Sequence, residues 1–231
     1  RRLAADMHDY VRACLERTVV AEPQYAEAFA SLATVYVDAY RFGYGKGMPI
    51  VAPLPRAYEL ASRAIQLAPD EAAGYKAMHN VQWFMDNVPA SLEMAEKAVA
   101  LNPGDPAALG DLGLRLYLTG SWERGVAVTE EAFARNPLMP SAYRVPLFFN
   151  AYLNGRYDEA LAEAQNIQAA QWIYTHVMQA MAYGATGRAP EAAAAVKRVL
   201  AFDPNYGDHV IEDLRKRHNH PRMIRAVVDG L

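Results

Sequence analysis

The sequence predicts an all-α chain assembled from a series of antiparallel helix pairs. Three observations carry that prediction. A proline recurs at a fixed interval, small residues recur in step with it, and glycines fall where one helix of a pair gives way to the other.

Pro69, Pro103 and Pro137 follow one another at intervals of 34 residues, with Pro23 before them and Pro204 after. Each sits in the same context, as in "RTVVAEPQYAEAF", "RAIQLAPDEAAGY", "KAVALNPGDPAAL", "EAFARNPLMPSAY" and "RVLAFDPNYGDHV". A helix ends, a residue pair closes in Pro, and a new helix begins. Self-similarity at a fixed period is the mark of a repeat architecture.

The opening "RRLAADMHDY" is already helix-forming sequence without an initiator Met, and reads as part of a longer protein. After Pro23, the first helix of a pair carries Phe29, Leu32, Ala33 and Tyr36; after Pro103 the same steps bring Leu109, Leu112, Gly113 and Leu116. The second helices carry small residues: Ala57, Ala61 and Ala64, then Ser91, Ala95 and Ala98, then Gly125, Thr129 and Ala132. Steps of four and three place each trio on one helical face, where small side chains let a neighbouring helix approach. "LTGSW", "LNGRYDEA" and "ATGRAPEA" put Gly at the end of a first helix, the position for a left-handed cap. "NYGDHVIEDLRKR" and "PRMIRAVVDGL" are the closing helices, the second opened by Pro221 in its first turn. Strand signals are absent. The chain 1–231 is expected to form a single repeat domain.

This pattern resembles the tetratricopeptide repeat (TPR), and the resemblance covers nearly the whole chain. It implies a right-handed superhelix of antiparallel helix pairs, a TPR solenoid of about five repeats plus terminal helices.

Between Pro23 and Pro69 the interval is 46, so "GYGKGMPIVAP" is an insertion in an inter-helix turn, residues 43–54. Its glycines and Lys46 imitate a phosphate loop. That loop needs a preceding strand, a helix immediately after, and a Ser or Thr beside the lysine. Here a helix precedes, Met48-Pro49 follows, and no hydroxyl neighbours Lys46. The stretch reads as a long turn and a candidate partner contact.

Composition excludes several function classes. The chain is 52% hydrophobic, that of a folded protein, and its formal net charge of -3 offers no basic stripe for nucleic acid or anionic lipid. The single Cys14 cannot form an internal disulfide, which points to a reducing compartment, the cytoplasm. No apolar run approaches membrane-spanning length. His218 and His220, with His209 upstream, have no completing Cys or carboxylate cluster and read as a solvated helix end. His79 and His176 fall on helix faces where packed histidines are usual. Cys14 lies near Arg12 and Arg17 but belongs to no nucleophile motif, and Glu130-Glu131 read as outer-face residues. No catalytic constellation, metal site or cofactor motif is present, so the expected activity is not enzymatic.

The resemblance implies a concave surface lined by the first helix of each pair, which holds a partner segment. Positions two, five, nine and twelve of these helices give Ala73, Lys76, Asn80 and Trp83; Ala107, Gly110, Leu114 and Tyr117; and Ser141, Arg144, Phe148 and Ala151. Lys76 with Asn80 matches the start of the carboxylate clamp of chaperone-binding relatives, but Ala107 and Asp111 depart from it. Lys76, Asn80, Trp83, Tyr117, Arg144 and Phe148 are the candidate partner-binding residues, Arg and aromatic side chains being frequent energetic anchors. The alternative is that Trp83 and Phe148 pack between units. Pro146 is expected to kink its helix beside Arg144.

"CLERTVVAEPQYAEAFASLATVYVDAYRFGYG", "RAYELASRAIQLAPDEAAGY" and "MIRAVVDGL" also resemble the C-terminal repeat region of bacterial class III adenylate/guanylate cyclase or winged-helix regulator proteins. That resemblance implies a protein- or peptide-binding regulatory module attached to an upstream effector domain. Two alternatives stand beside it: a small-molecule sensor with its ligand near Trp83, Tyr117 and Arg144, and self-association as a homodimer through the terminal helices.

Overall fold

The structure is a computed structural model that describes residues 5–44 and 53–231. The described residues form helices joined by short turns, with no strand among them. In chain order the helices are α1 (Ala5–Ala21), α2 (Ala26–Phe42), α3 (Pro53–Leu67), α4 (Ala72–Phe84), α5 (Val88–Leu101), α6 (Pro106–Leu118) and α7 (Trp122–Arg135). A 3-10 turn, Ser141–Arg144, then leads into α8 (Val145–Leu153), α9 (Tyr157–Asn166), α10 (Ile173–Ala185), α11 (Ala189–Phe202), α12 (Tyr206–Lys216) and α13 (Pro221–Gly230). Residues 45–52, most of the predicted insertion and Lys46 with it, lie outside the described residues.

Two kinds of turn alternate, and each has one local cause. At five of the six connections between pairs, the recurring proline occupies the second position of a four-residue turn; between α9 and α10 there is no proline, and Trp172 closes the turn by donating to the Ala169 carbonyl at 2.9 Å. Tyr25, Glu71, Asp105, Met139 and Tyr206 each donate a backbone N–H to the carbonyl three residues back, at 3.0–3.2 Å. Pro23, Pro69, Pro103, Pro137 and Pro204 supply the fixed φ that such a turn needs there.

Within pairs, the first helix ends on a residue in the left-handed region: Gly43, Asp86, Gly120, Gly155, Gly187 and His218. The residue after each donates to the carbonyl five back, Tyr44 to Ala39, Asn87 to Gln82, Ser121 to Leu116, Arg156 to Ala151, Arg188 to Tyr183 and Asn219 to Leu214, at 2.8–3.0 Å. This is the Schellman closure of a helix C-terminus. Four of the six positions are Gly, which carries no Cβ penalty there; Asp86 and His218 take the same conformation.

The helices fall into two compact units, one ending at Ala108 and one running from Leu109 to Leu231. In the first, α2 packs on α3 and on α4, α3 on α4 and α4 on α5, while α1 covers α2. Leu32, Ala33, Ala57, Ala61 and Val81 are fully or almost fully buried there. Small residues allow this closeness: a Cβ at Gly74 would stand 2.9 Å from Ile65 Cγ1 and 3.0 Å from its backbone nitrogen.

In the second unit α8 packs on α9, α9 on α10 and α10 on α11. The small-residue faces continue through Thr129, Ala132, Ala160, Ala164 and Ala195, all inaccessible. A Cβ at Gly113 would come within 2.5 Å of Thr129 Oγ1, and one at Gly125 within 2.7 Å of the Tyr117 backbone nitrogen. These contacts set the α6–α7 distance.

Pro146 does not kink a longer helix. It occupies the second residue of α8, and the residues before it form the separate 3-10 turn. Proline lacks the N–H that a helix interior requires, so α8 starts where the proline costs least.

Candidate binding faces of the first helices

In the first unit Lys76 and Asn80 lie on α4. Lys76 Nζ reaches Asp105 Oδ2 at 2.5 Å. The other oxygen of Asp105 accepts the backbone N–H groups of Ala107 at 2.9 Å and Ala108 at 3.3 Å, capping α6. Partial burial works against the Asp105 carboxylate, but the Lys76 ammonium and the two amides outweigh it, so its pKa lies below the ordinary value. Lys76 therefore ties α4 to the next turn. Asn80 Nδ2 donates to the Lys76 carbonyl at 3.2 Å, and Trp83 is buried.

In the second unit Tyr117 and Phe148 are buried, at 1% and 0% exposure. Tyr117 meets Trp122 edge-on at 4.9 Å, and Phe148 packs against Phe149 at 5.0 Å and Tyr152 at 5.7 Å. Arg144 is half-buried: its Nη1 donates to Glu163 at 2.8 Å and its guanidinium lies 4.5 Å above the Phe133 ring. Beside it is a cavity of about 580 Å³ lined by Phe133, Leu138, Met139, Ser141, Arg144 and Gln168 among others. Asp111, where the clamp pattern departs, accepts the Tyr143 hydroxyl at 2.7 Å.

The candidate residues thus divide. The three aromatics are buried, while Lys76, Asn80 and Arg144 keep part of their surface exposed. The histidines have structural surroundings. His79 Nδ1 lies 3.0 Å from Ser91 Oγ, whose hydroxyl donates back to the His79 carbonyl at 2.9 Å. His176 Nε2 lies 3.1 Å from the Ala170 carbonyl, and His209 pairs with Asp203 at 2.7 Å. Among the described residues no group of three or more His, Cys, Asp or Glu is placed to hold a metal ion. Cys14 is exposed.

The most informative feature is α13. A helix continuing the series would pack beside its own partner. Instead α13 contacts α8 and α10 as well as α12, and its first turn reaches the α6–α7 turn. His220 donates its N–H to the Leu118 carbonyl at 2.8 Å, and its ring meets Trp122 edge-on at 4.9 Å. Its Nδ1 accepts the Arg222 N–H at 3.1 Å, capping the helix. Arg222 Nη2 donates to the Leu153 carbonyl at 3.1 Å. At the other end a Cβ at Gly230 would stand 2.8 Å from the Tyr152 hydroxyl and 3.0 Å from Met181 Cγ. Met223, Ile224 and Val227 form the buried stripe of α13, and Arg225, Val228 and Asp229 face outward. Burying side chains such as Met223 and Val227 stabilises this docking by about 1.5–3 kcal/mol each.

Tyr152 and Met181 thus belong to a face of first helices that α13 covers. Burial pushes the Tyr117 phenol above its ordinary range, and the positive charge of Arg222 and Arg156 lowers it only in part. Sequence reasoning did not find the helix that covers this face. The available signal was the amphipathic spacing of Met223, Ile224 and Val227 after Pro221.

The arrangement of helix pairs matches known structures. The chain is similar to the structure described as the APC/C hetero-tetramer Cut9–Hcn1, with a TM-score of 0.72 and 13% identity over 96% of this chain and 46% of that one. It is also similar to YrrB, described as a TPR protein with an unusual peptide-binding site (TM-score 0.55, 15% identity, 83% and 93% covered). A third is a tetratricopeptide repeat protein from Parabacteroides merdae (TM-score 0.58, 12% identity, 94% and 90% covered). The fold is the tetratricopeptide-repeat fold. The chain spans about half the length of the Cut9–Hcn1 chain it matches. No protein-family model matches the sequence, and no curated protein does. Among the described residues no helix is long and apolar enough to cross a membrane.

Proposed function

We propose that this chain is a non-enzymatic TPR module that binds a protein or peptide through its first-helix faces. The observation that carries this reading is α13: the first-helix face of the second unit is already shaped to hold a helix, through apolar contacts and two backbone carbonyls. A peptide-binding site in the TPR protein YrrB accords with it. In this reading Lys76, Asn80 and Arg144 are the partly exposed polar groups that select the partner. The chain acts as a scaffold or regulatory arm for an upstream signalling or DNA-binding effector domain in the cytoplasm. That part rests on the sequence echoes of cyclase and winged-helix regulators. With a formal net charge of -3, direct nucleic-acid binding is not part of the proposal.

Selection of a displayed peptide library against the full chain tests this. Selected peptides are expected to protect amides of first helices from hydrogen exchange and to lose affinity on Lys76→Glu or Arg144→Glu substitution. Failure to select any peptide, or protection confined to second helices, would refute it.

One observation favours a second reading. The cavity beside Arg144 pairs a cation with the Phe133 ring and apolar walls, a mixture suited to a small anionic ligand. Saturable stabilisation by a metabolite, abolished by Arg144→Ala, would support it.

A further inference from the structure

We propose that α13 is a displaceable resident of a helix-binding seat, and that the natural partner is an amphipathic helix of the same chemistry which takes its place. This rests on the binding-face reading above and adds the identity of the occupant and a regulatory step.

The seat is built by elements far from α13 in sequence. It comprises Leu118 and Trp122 at the α6–α7 turn, Tyr152 and Leu153 at the end of α8, and Met181 on α10. What it recognises can be read from what it holds. The apolar wall takes a stripe at i, i+1 and i+4, here Met223, Ile224 and Val227, all buried. Two carbonyls at helix C-termini take donors: Leu118 O takes the cap N–H of His220, and Leu153 O takes the guanidinium of Arg222. Last-turn carbonyls lack intrahelical donors and carry the negative end of the helix dipole. The partner is therefore a short helix with a cationic residue in its first turn, followed directly by an apolar pair and a third apolar residue one turn on.

Three features make the resident helix removable. It is ten residues long, and an isolated helix of that length is marginal in water, so its order comes from the seat. Its outer face, with Val228 44% exposed, is uncovered. It hangs from α12 through a four-residue connection whose His218 is held at φ 57, a conformation costly for a non-glycine residue. Removal would expose the wall around Trp122 and Tyr152 without breaking the α8–α9 or α10–α11 pairs.

The test uses the full chain and a fluorescein-labelled peptide of residues 219–231 as the probe. A Cβ at Gly230 lies 3.5 Å from Met181 Cβ, within disulfide range, so Met181→Cys/Gly230→Cys in a Cys14→Ser background gives a lock. Oxidation pins α13 in the seat and reduction frees it. The reduced chain is expected to bind the probe at least about tenfold more tightly than the oxidised chain, the tethered helix still competing at a local concentration of order millimolar. Met223→Asp/Val227→Asp, which weakens the resident helix, is expected to bind more tightly still, and Trp122→Ala, which removes the ring that His220 meets, to bind the probe more weakly. Equal probe binding by the oxidised and reduced chains, or none by either, would overturn the proposal. So would a Met223→Asp/Val227→Asp chain that unfolds as a whole, since α13 would then be an integral part of the unit. A library peptide that binds the oxidised and reduced chains equally would leave the binding-module reading intact while removing the displacement step.

Discussion

The backbone N–H of His220 reaches the carbonyl of Leu118 at 2.8 Å. A residue at the start of the last helix thereby satisfies an orphan acceptor at the end of a first helix about one hundred positions earlier. Such a bond exists only because α13 leaves the regular progression of pairs and lies across α8 and α10.

The same contact makes Gly120 more demanding than its equivalents. Its φ is +102, and a Cβ there would stand 3.0 Å from the His220 ring; Gly155, at φ +72, has nothing within 4 Å. Gly155→Ala is expected to cost about 1 kcal/mol from conformation alone. Gly120→Ala is expected to cost about 1–2 kcal/mol more, from loss of α13 docking. Urea unfolding of both variants, followed by tryptophan fluorescence, measures the difference.

Helix spacing in the second unit rests on missing side chains. At Gly113 a Cβ would meet the Thr129 backbone nitrogen at 2.9 Å and the Gly125 carbonyl at 3.0 Å, atoms that cannot swing aside. Gly113→Ala is expected to destabilise by about 1–3 kcal/mol through overpacking. Gly184, inside α10 with nothing within 4 Å of the added carbon, is expected to gain about 0.5–1 kcal/mol on Gly184→Ala. Opposite shifts in urea midpoint are the expected result.

Acid tests the Lys76–Asp105 pair. The folded pKa of Asp105 lies below its ordinary value, so the folded chain binds that proton less tightly than the unfolded chain. The associated stability is present above the unfolded pKa of about 4 and is lost as pH falls through the lower folded value. Lys76→Met is expected to flatten this part of the acid stability profile, measured by urea unfolding from pH 6 to pH 2.

Alkali tests the buried and half-buried tyrosines of the second unit. Burial raises Tyr117 and Tyr152, and raises Tyr206 to about 12. A phenol whose folded pKa exceeds its unfolded value contributes fully below about pH 10 and loses that contribution as pH climbs toward the folded value. Stability at pH 11 is expected to fall below that at pH 9, and by less in Tyr117→Phe.

Much of the fold was legible because its causes are local. Proline at the second position of five inter-pair turns and glycine after four of the first helices act within a few residues, and their spacing is visible in the sequence. Gly120, Gly155 and Gly187 could be recognised in this way, whereas Gly43 was read as part of the insertion. Asp86 and His218 could not, since nothing in the residue type announces a left-handed backbone. The candidate site was less legible. Counting along a first helix puts Tyr117 and Phe148 on one face but does not reveal what covers it. The direction of α13 depends on carbonyls at Leu118 and Leu153, and "RHNHP" holds no record of them. Pro146 was misread as a kink because the sequence did not show that the helix before it is only a 3-10 turn.

Hydrogen–deuterium exchange on the full chain, resolved to single amides, bears most directly on α13 as a removable occupant. Amides of Ile224 to Val228 are expected to exchange by local opening, at rates at least about a hundredfold above those of α10, while α8 and α10 stay protected. Amides of α13 that exchange only with the global unfolding of α10 would contradict it, and would make α13 a fixed wall of the unit.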